Sequence, residues 1–481
     1  MPHNSVPEFK TASLLPVARM VPLLIAVLLA GSVFFYKERM LFIDAPHILF
    51  RIINDGHLMI SDFRYGSFVT QIFPLFGSFL HLPLKCLMVL YSASFYLFYL
   101  MVALLLVYKY KNYGLALLFG LYLTLFVSGT YYWPNNEVHQ GIGWLMLALA
   151  ANYYIAEKQR PFILSLVVFI GSCYLAIWTH PLVMLVAVYL WFFLMMGQFW
   201  PYSRLQSVLY SVVLLGLSFL KFNQGRQHGY DSTKIEVVTG LHIATASTIF
   251  SSPQFHFFVH NCLTNYWLFL LLFIAGIAGM LAQKKFLPLL WTLLFAGGYL
   301  TLVCITFWDA NANRFYIESE YMPLSIIGTA PFVYFVLPRL RSRVGATIIS
   351  LVFLVRLVYI CDAHAAFTNR VAILNSINNK MKEKNLTKII IPEPVPGIDS
   401  ALIMNWGAPV ESLLLSGIKG DNPQRSFIFA VPGDANAYAK IGSDTLIGCW
   451  DLRPQSKINQ FYFHTDTSVK YRQISYSTLM D

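Results

Sequence analysis

Phe68-Val69-Thr70-Gln71-Ile72-Phe73-Pro74-Leu75-Phe76-Gly77-Ser78-Phe79-Leu80-His81-Leu82 is apolar enough to invite a membrane-crossing reading, yet it carries Gln71, Pro74, Gly77, Ser78 and His81. Its reading fixes the sidedness of everything that follows. If it lies along the outer surface, Lys109 and Lys111 fall on the cytoplasmic side, where short loops concentrate lysine and arginine. If it crosses, every later loop inverts. The first alternative is the consistent one and predicts a surface helix here.

Outward from this stretch the chain is dominated by apolar blocks. Of 481 residues, 57% are hydrophobic and 12% charged, against roughly 25% charged in a soluble domain. The blocks run to about 20 residues, the length a helix needs to cross a hydrocarbon core of about 30 Å. They lie at residues 14–35, 86–108, 114–131, 140–156, 162–178, 181–197, 205–221, 263–282, 286–307, 321–337 and 344–361, which predicts about eleven crossings. The fold class expected is therefore an all-α polytopic membrane protein. Lys10 and Arg19 ahead of the run from Met20 to Phe35 have the shape of a signal peptide. No small-residue cleavage site precedes Tyr36-Lys37-Glu38-Arg39, so the run reads as an uncleaved first span.

The net charge of +11 is scattered between the apolar blocks, which reads as topology control and excludes a phosphate-tracking nucleic-acid surface. The cytoplasmic side collects Lys10, Arg19, Lys109, Lys111, Lys158, Arg160, Arg204, Lys284, Lys285, Arg339, Arg341 and Arg343, and the three shortest outer loops hold one basic residue, Arg314. Acidic residues sort outward, among them Asp44, Asp62, Glu137, Asp231, Glu318 and Glu320. That second pattern marks a polar outer face. Two outer loops are long, residues 36–85 and 222–262. From Asp362 the composition turns polar, so residues 1–361 form the membrane domain and 362–481 a small outer α/β or α+β domain. That domain should begin with a helix at Phe367–Lys384, followed by β-type runs at Lys388–Ile391, Ser426–Val431, Asn459–His464 and Lys470–Ser475. The six cysteines show no C-x-x-C spacing, and only Cys361 and Cys449 are placed to meet in an oxidising outer compartment.

Several outer residues could carry chemistry. Asp44, in Phe42-Ile43-Asp44-Ala45-Pro46-His47, is a carboxylate near the membrane surface, suited to act as a general base or to hold a metal; it is equally a good helix start. In Trp133-Pro134-Asn135-Asn136-Glu137-Val138-His139-Gln140, Asn136 and Glu137 read either as site residues or as a cap with its dipole-matched acid. His180, before Pro181, is a ligand or a helix start. Arg314 offers a guanidinium fork for phosphate oxygens, or an anchor paired with Glu318 four residues on. His139, His180, Glu318 and Glu320 leave a divalent metal ion open as a cofactor, without diagnostic spacing.

A first span followed by a long outer loop with an early acidic residue, a surface helix, many further spans, a late outer Arg314-Phe315-Tyr316 running into a helix with Pro323, and an outer C-terminal domain resembles the GT-C superfamily of membrane glycosyltransferases, bacterial polyprenyl-phosphate-sugar-dependent members above all. The resemblance covers roughly residues 10–361 and implies sugar transfer, with inversion, from a polyprenyl-phosphate carrier to a glycan, lipid or protein acceptor. The setting it implies is the outer face of a bacterial inner membrane, with the N-terminus cytoplasmic and the C-terminus outside. It makes Asp44 the general base and Arg314 the phosphate ligand. Family members often carry two adjacent acids in the first loop, whereas Ala45 follows Asp44, which leaves open whether Asp44 acts alone, with Asp62 or with Glu137. Two other classes fit the composition. An O-antigen ligase or polymerase using a diphosphate carrier would draw on Arg226, His228, His242, His256 and His260 in the second long loop. A transporter or flippase of lipid-linked sugars would want paired broken helices or ionisable residues at mid-membrane depth.

Overall fold

A computed structural model of the protein describes residues 14–227, 230–239, 248–307 and 314–481. Backbone groups in a hydrocarbon solvent must be satisfied within their own segment, and helix is what these apolar blocks form. Six helices are long and apolar enough to cross a membrane: Leu15–Phe34, Leu84–Lys109, Arg204–Gln227, Phe286–Thr306, Glu318–Arg339 and Ser342–Glu383. Pro253–Thr264 and Trp267–Ala282, bent by 88°, make a seventh if taken as one broken span. The protein is thus consistent with a multi-pass membrane protein.

The figure of about eleven is not reached on length and apolarity among the described residues. Tyr113–Leu125 has 13 residues, and Phe162–Ile177 and Pro181–Met196 have 16 each, so they reach about 20 to 24 Å. Glu137–Glu157 has 21 residues but is more polar. Every residue of Tyr113–Leu125 is buried, as expected of a helix apolar all round. It forms the centre of the bundle with Glu318–Arg339, and Arg204–Gln227 and Phe286–Thr306 turn Leu205, Val212, Phe219, Leu287 and Leu294 outward.

The deciding stretch is a helix at Phe68–Phe79. Its 12 residues reach only about 18 Å, too short to cross. It buries Thr70, Gln71 and Ser78 against the protein and exposes Ile72, Phe73, Phe76 and Phe79, the reverse of a soluble surface helix. Gln71 locks it in place, accepting from Met59 N at 2.8 Å and donating to Met59 O at 2.9 Å. Ahead of it, helix Asp44–Asp55 buries Ala45, Leu49, Ile52 and Ile53 and ends at Gly56 in the left-handed region.

Ser342–Asp362 passes at Ala363 into His364–Glu383, which leads to a small sheet. Strands β1 (Lys388–Pro392), β2 (Ser426–Ala430), β3 (Thr445–Ile447), β4 (Leu452–Pro454) and β5 (Arg472–Gln473) make a parallel three-stranded sheet in the order β2-β1-β5 and an antiparallel β3-β4 hairpin. The run expected as a strand at Asn459–His464 is a turn, because Asn459 uses its own groups to close it, accepting from Phe461 N at 3.1 Å and Tyr462 N at 3.1 Å. All six cysteines are free; Cys361 ends the last span while Cys449 packs against Gly407, so the expected pair does not form.

Candidate functional site

Asp44 opens its helix just after Ile43, whose φ of 44° is strained for a β-branched residue. The C-terminal domain holds this turn. Glu411, fully buried, accepts Ile43 N–H at 2.8 Å and the Arg370 guanidinium at 2.6 Å. Arg370 in turn donates to Leu41 O and to Met404 O. Gly407 is required here, since a Cβ on it would sit 3.0 Å from Ile43 Cα. On its other flank Asp44 accepts the Trp133 indole N–H at 2.7 Å. Burial is the main cause that pushes the Asp44 carboxyl up to about 6; the Trp133 bond and Arg64 oppose it, and Glu137 adds to it.

Trp133 is itself positioned from below. The rings of Phe315 and Tyr316 pack on it at 5.2 and 5.9 Å, and Phe315 also meets Phe42 at 4.9 Å. Glu318, one turn further along that helix, accepts from Ser128 N, Thr130 N, Thr130 Oγ1 and Tyr266 OH at 2.7 to 2.9 Å, and also from Ser128 Oγ. Its carboxylate is engaged inside the protein and anchors the 128–133 turn. Arg314 begins the same helix, next to Phe315; its side chain lies outside the described residues.

A second charged group stands beside Asp44. Arg64 bridges Glu137 at 2.9 Å and Asp231 at 3.2 Å. Gly66 allows the Arg64 loop to press on the end of helix Phe162–Ile177, where a Cβ would collide with Thr179 and Leu175. Asp62 lies within electrostatic range of Arg64. Lys221, near the C-terminal end of helix Arg204–Gln227, is 2% exposed and makes no ion pair with the described residues. Arg64, Asp231 and Asp62 are its charged neighbours. His180 caps helix Pro181–Met196, its Nδ1 accepting Leu182 N–H at 3.2 Å. Burial, reinforced by Arg64 and Lys221, holds that imidazole well below its usual range, in the neutral form.

Sequence reasoning brought Asp44, Asp62, Glu137 and His180 to one outer region, and the structure places them around Arg64 and Lys221. Asn136 is the cap of helix Glu137–Glu157, accepting Val138 N–H at 3.1 Å. His139 is buried between the rings of Tyr99 and Tyr122, and Glu320 beside Tyr299 and Tyr321. The four residues considered for a metal therefore do not gather, and no three His, Cys, Asp or Glu among the described residues form a group fit for an ion. In the second long loop Arg226, His256 and His260 are exposed, and His228 and His242 lie outside the described residues. Arg64 and Lys221 were missed. The available signals were an arginine in an outer loop, against the usual bias, and a lysine closing an apolar span.

The fold and the site describe a mostly helical protein with six candidate membrane spans, in which the turn that carries Asp44 is held by a small C-terminal domain and Arg64 stands nearby. Compared with family models, curated proteins and solved structures, the chain matches none.

Proposed function

We propose that the protein transfers a sugar from a polyprenyl-phosphate carrier to an acceptor at the outer face of a bacterial inner membrane, as the GT-C resemblance implies. The observation that supports this best is a dehydrated carboxylate, Asp44, and a buried lysine, Lys221, that makes no ion pair with the described residues, both neighbours of Arg64 in its ion pair with Glu137. A carboxyl near pH 6 is ionised at neutral pH and still basic enough to take a proton. In the reaction the acceptor hydroxyl oxygen bonds to the anomeric carbon, and its proton goes to Asp44. The bond from that carbon to the phosphate oxygen breaks, its electron pair stays on the phosphate, and the anomeric configuration inverts. Lys221 and Arg64 stabilise the departing phosphate, since charge placed in advance where charge develops lowers the barrier. Arg314 remains a further candidate for the same phosphate.

Purified protein in nanodiscs, given matched sugar donors on monophosphate and diphosphate carriers, tests the assignment. Only the monophosphate should be turned over, and Lys221→Gln should weaken binding of farnesyl phosphate at least tenfold. Turnover of the diphosphate alone would favour the ligase class, and unchanged binding by the variant would remove Lys221.

A further inference from the structure

Three candidate spans come together at a cavity of about 500 Å³, a volume in the range of small-molecule sites. Phe34 and Phe35 close the first span and Lys37 and Glu38 follow it, Lys85 opens the second, and His364 stands at the break in the last. Lys37 is half-buried and Lys85 exposed, and neither makes an ion pair with the described residues. Glu38, the one acid among the described residues that line the cavity, accepts Thr368 Oγ1 at 3.1 Å. Lys85 adds to the imbalance. It stands in the first turn of helix Leu84–Leu104, where the backbone dipole is already positive, and neither an acid nor a side-chain cap accompanies it. Lys419 of the C-terminal domain has Lys37 among its charged neighbours, while the acid beside it, Asp421, is already held by Lys382 and Arg425. His364 donates Nδ1–H to Cys361 O at 2.6 Å, which leaves Nε2 for another partner. The span faces next to the cavity are apolar and uncovered: Phe34 is 77% exposed, and Val33, Leu354 and Val358 are exposed with it. In a multi-pass protein such faces meet acyl chains, and the groups that lie level with the span ends are lipid headgroups.

We propose that this cavity binds the headgroup of an anionic phospholipid, with the phosphate between Lys37 and Lys85 and the acyl chains along Phe34 and the last span. The site shares no residue with the Asp44 neighbourhood and does not depend on what that neighbourhood does. An ammonium is a point charge well suited to a phosphate diester, and a basic pocket between spans is the form that headgroup recognition takes. On the reading that puts residues 36–85 outside, the lipid also accounts for two lysines on the side where lysine is disfavoured. A choline headgroup would bring its own cation against the two ammoniums, and a soluble acidic partner would leave Phe34 uncovered. A polyprenyl phosphate offers the same phosphate on a single chain, so the test separates the two sources.

Native mass spectrometry of the full chain released from detergent, titrated with dioleoylphosphatidylglycerol or dioleoylphosphatidylcholine, tests this. The phosphatidylglycerol should be retained as a tight adduct and the phosphatidylcholine should not. Affinity for phosphatidylglycerol should fall roughly fivefold in Lys85→Gln and roughly thirtyfold in Lys37→Gln/Lys85→Gln, as the loss of one and of two lysines beside an anionic headgroup implies. Lys85 is exposed, so its single variant spares the fold. Lys440→Gln, at an exposed lysine elsewhere in the C-terminal domain, should leave retention unchanged. Equal retention of the two lipids, equal retention by the double variant, or an equal loss in Lys440→Gln overturns the site. Displacement of phosphatidylglycerol by equimolar farnesyl phosphate overturns it as well, because the cavity would then belong to the carrier.

Discussion

Asp44 stands in an environment that favours its protonated form, and that has a consequence for stability separate from catalysis. Its folded value, about 6, lies above the roughly 4 of an unfolded aspartate. Below pH 4 both states are protonated and the site is neutral to stability. Between the two values the folded state loses ground as pH rises, and above pH 6 the full cost of about 3 kcal/mol is present. Asp44→Asn removes it, so the thermal midpoint of the purified protein should rise at pH 7.5 and stay unchanged at pH 4. A fall at pH 7.5 contradicts the burial argument. At this scale the acids were legible, because a carboxylate at an outer helix start is conspicuous beside apolar blocks. Lys221 was not, because a lysine that ends an apolar run reads as the limit of a span. Only the fold reveals that it is buried, with Arg64 and Asp231 as charged neighbours.

Among the elements, the buried arginines show how short helices are completed. Tyr113–Leu125 stops inside the bundle, where its last carbonyls have no water to bond. Arg356, fully buried in the last span, donates to Thr124 O at 3.0 Å, Val127 O at 2.8 Å and Asn265 O at 2.6 Å, and so joins that helix end to the bend at residues 264–267. A charge inside a span is a functional candidate by default; this one is structural. Arg356→Met takes the guanidinium donor from the Val127 and Asn265 carbonyls, while Thr124 O keeps Val127 N–H, and should cost about 3 kcal/mol, read as a lower midpoint in a detergent thermal melt, with no change in Asp44-dependent pH behaviour. An unchanged midpoint would show that the carbonyls find other donors. The surface helix was legible from Gln71, Pro74 and Ser78, whose polarity fits one buried face and not a crossing. The short helices were not, since hydropathy counts apolar residues and does not see where a chain such as Phe126–Trp133 leaves the helix for a turn held by Glu318.

For the molecule as a whole, the segment of residues 36–85 and the C-terminal domain act as one assembly. Arg453 pairs with Asp55 at 2.7 Å, Asn459 N–H donates to Asn54 at 2.9 Å, and Arg370 with Glu411 grips the Leu41–Ile43 turn. These links join residues hundreds of positions apart, and no local pattern announces them; the sequence shows a polar domain and not where it docks. Sidedness, by contrast, is an expectation drawn from lysine and arginine placement alone and is open to direct test. In a background lacking the exposed Cys86 and Cys361, single cysteines at positions 62 and 136 should be labelled by an impermeant maleimide from the outside, and one at position 110 only after permeabilisation. Outside labelling at 110 would invert every loop after the second span.

The most direct test of glycosyl transfer by this site is the pH dependence of kcat/KM for transfer in nanodiscs, measured for the protein, Asp44→Glu and Asp44→Asn. The account predicts an acid limb near pH 6 for the protein, a shifted limb with reduced activity for the glutamate variant, and loss of at least 99% of activity, about 2.7 kcal/mol of barrier, for the asparagine variant that still binds farnesyl phosphate. An asparagine variant with full activity and the same acid limb would contradict it.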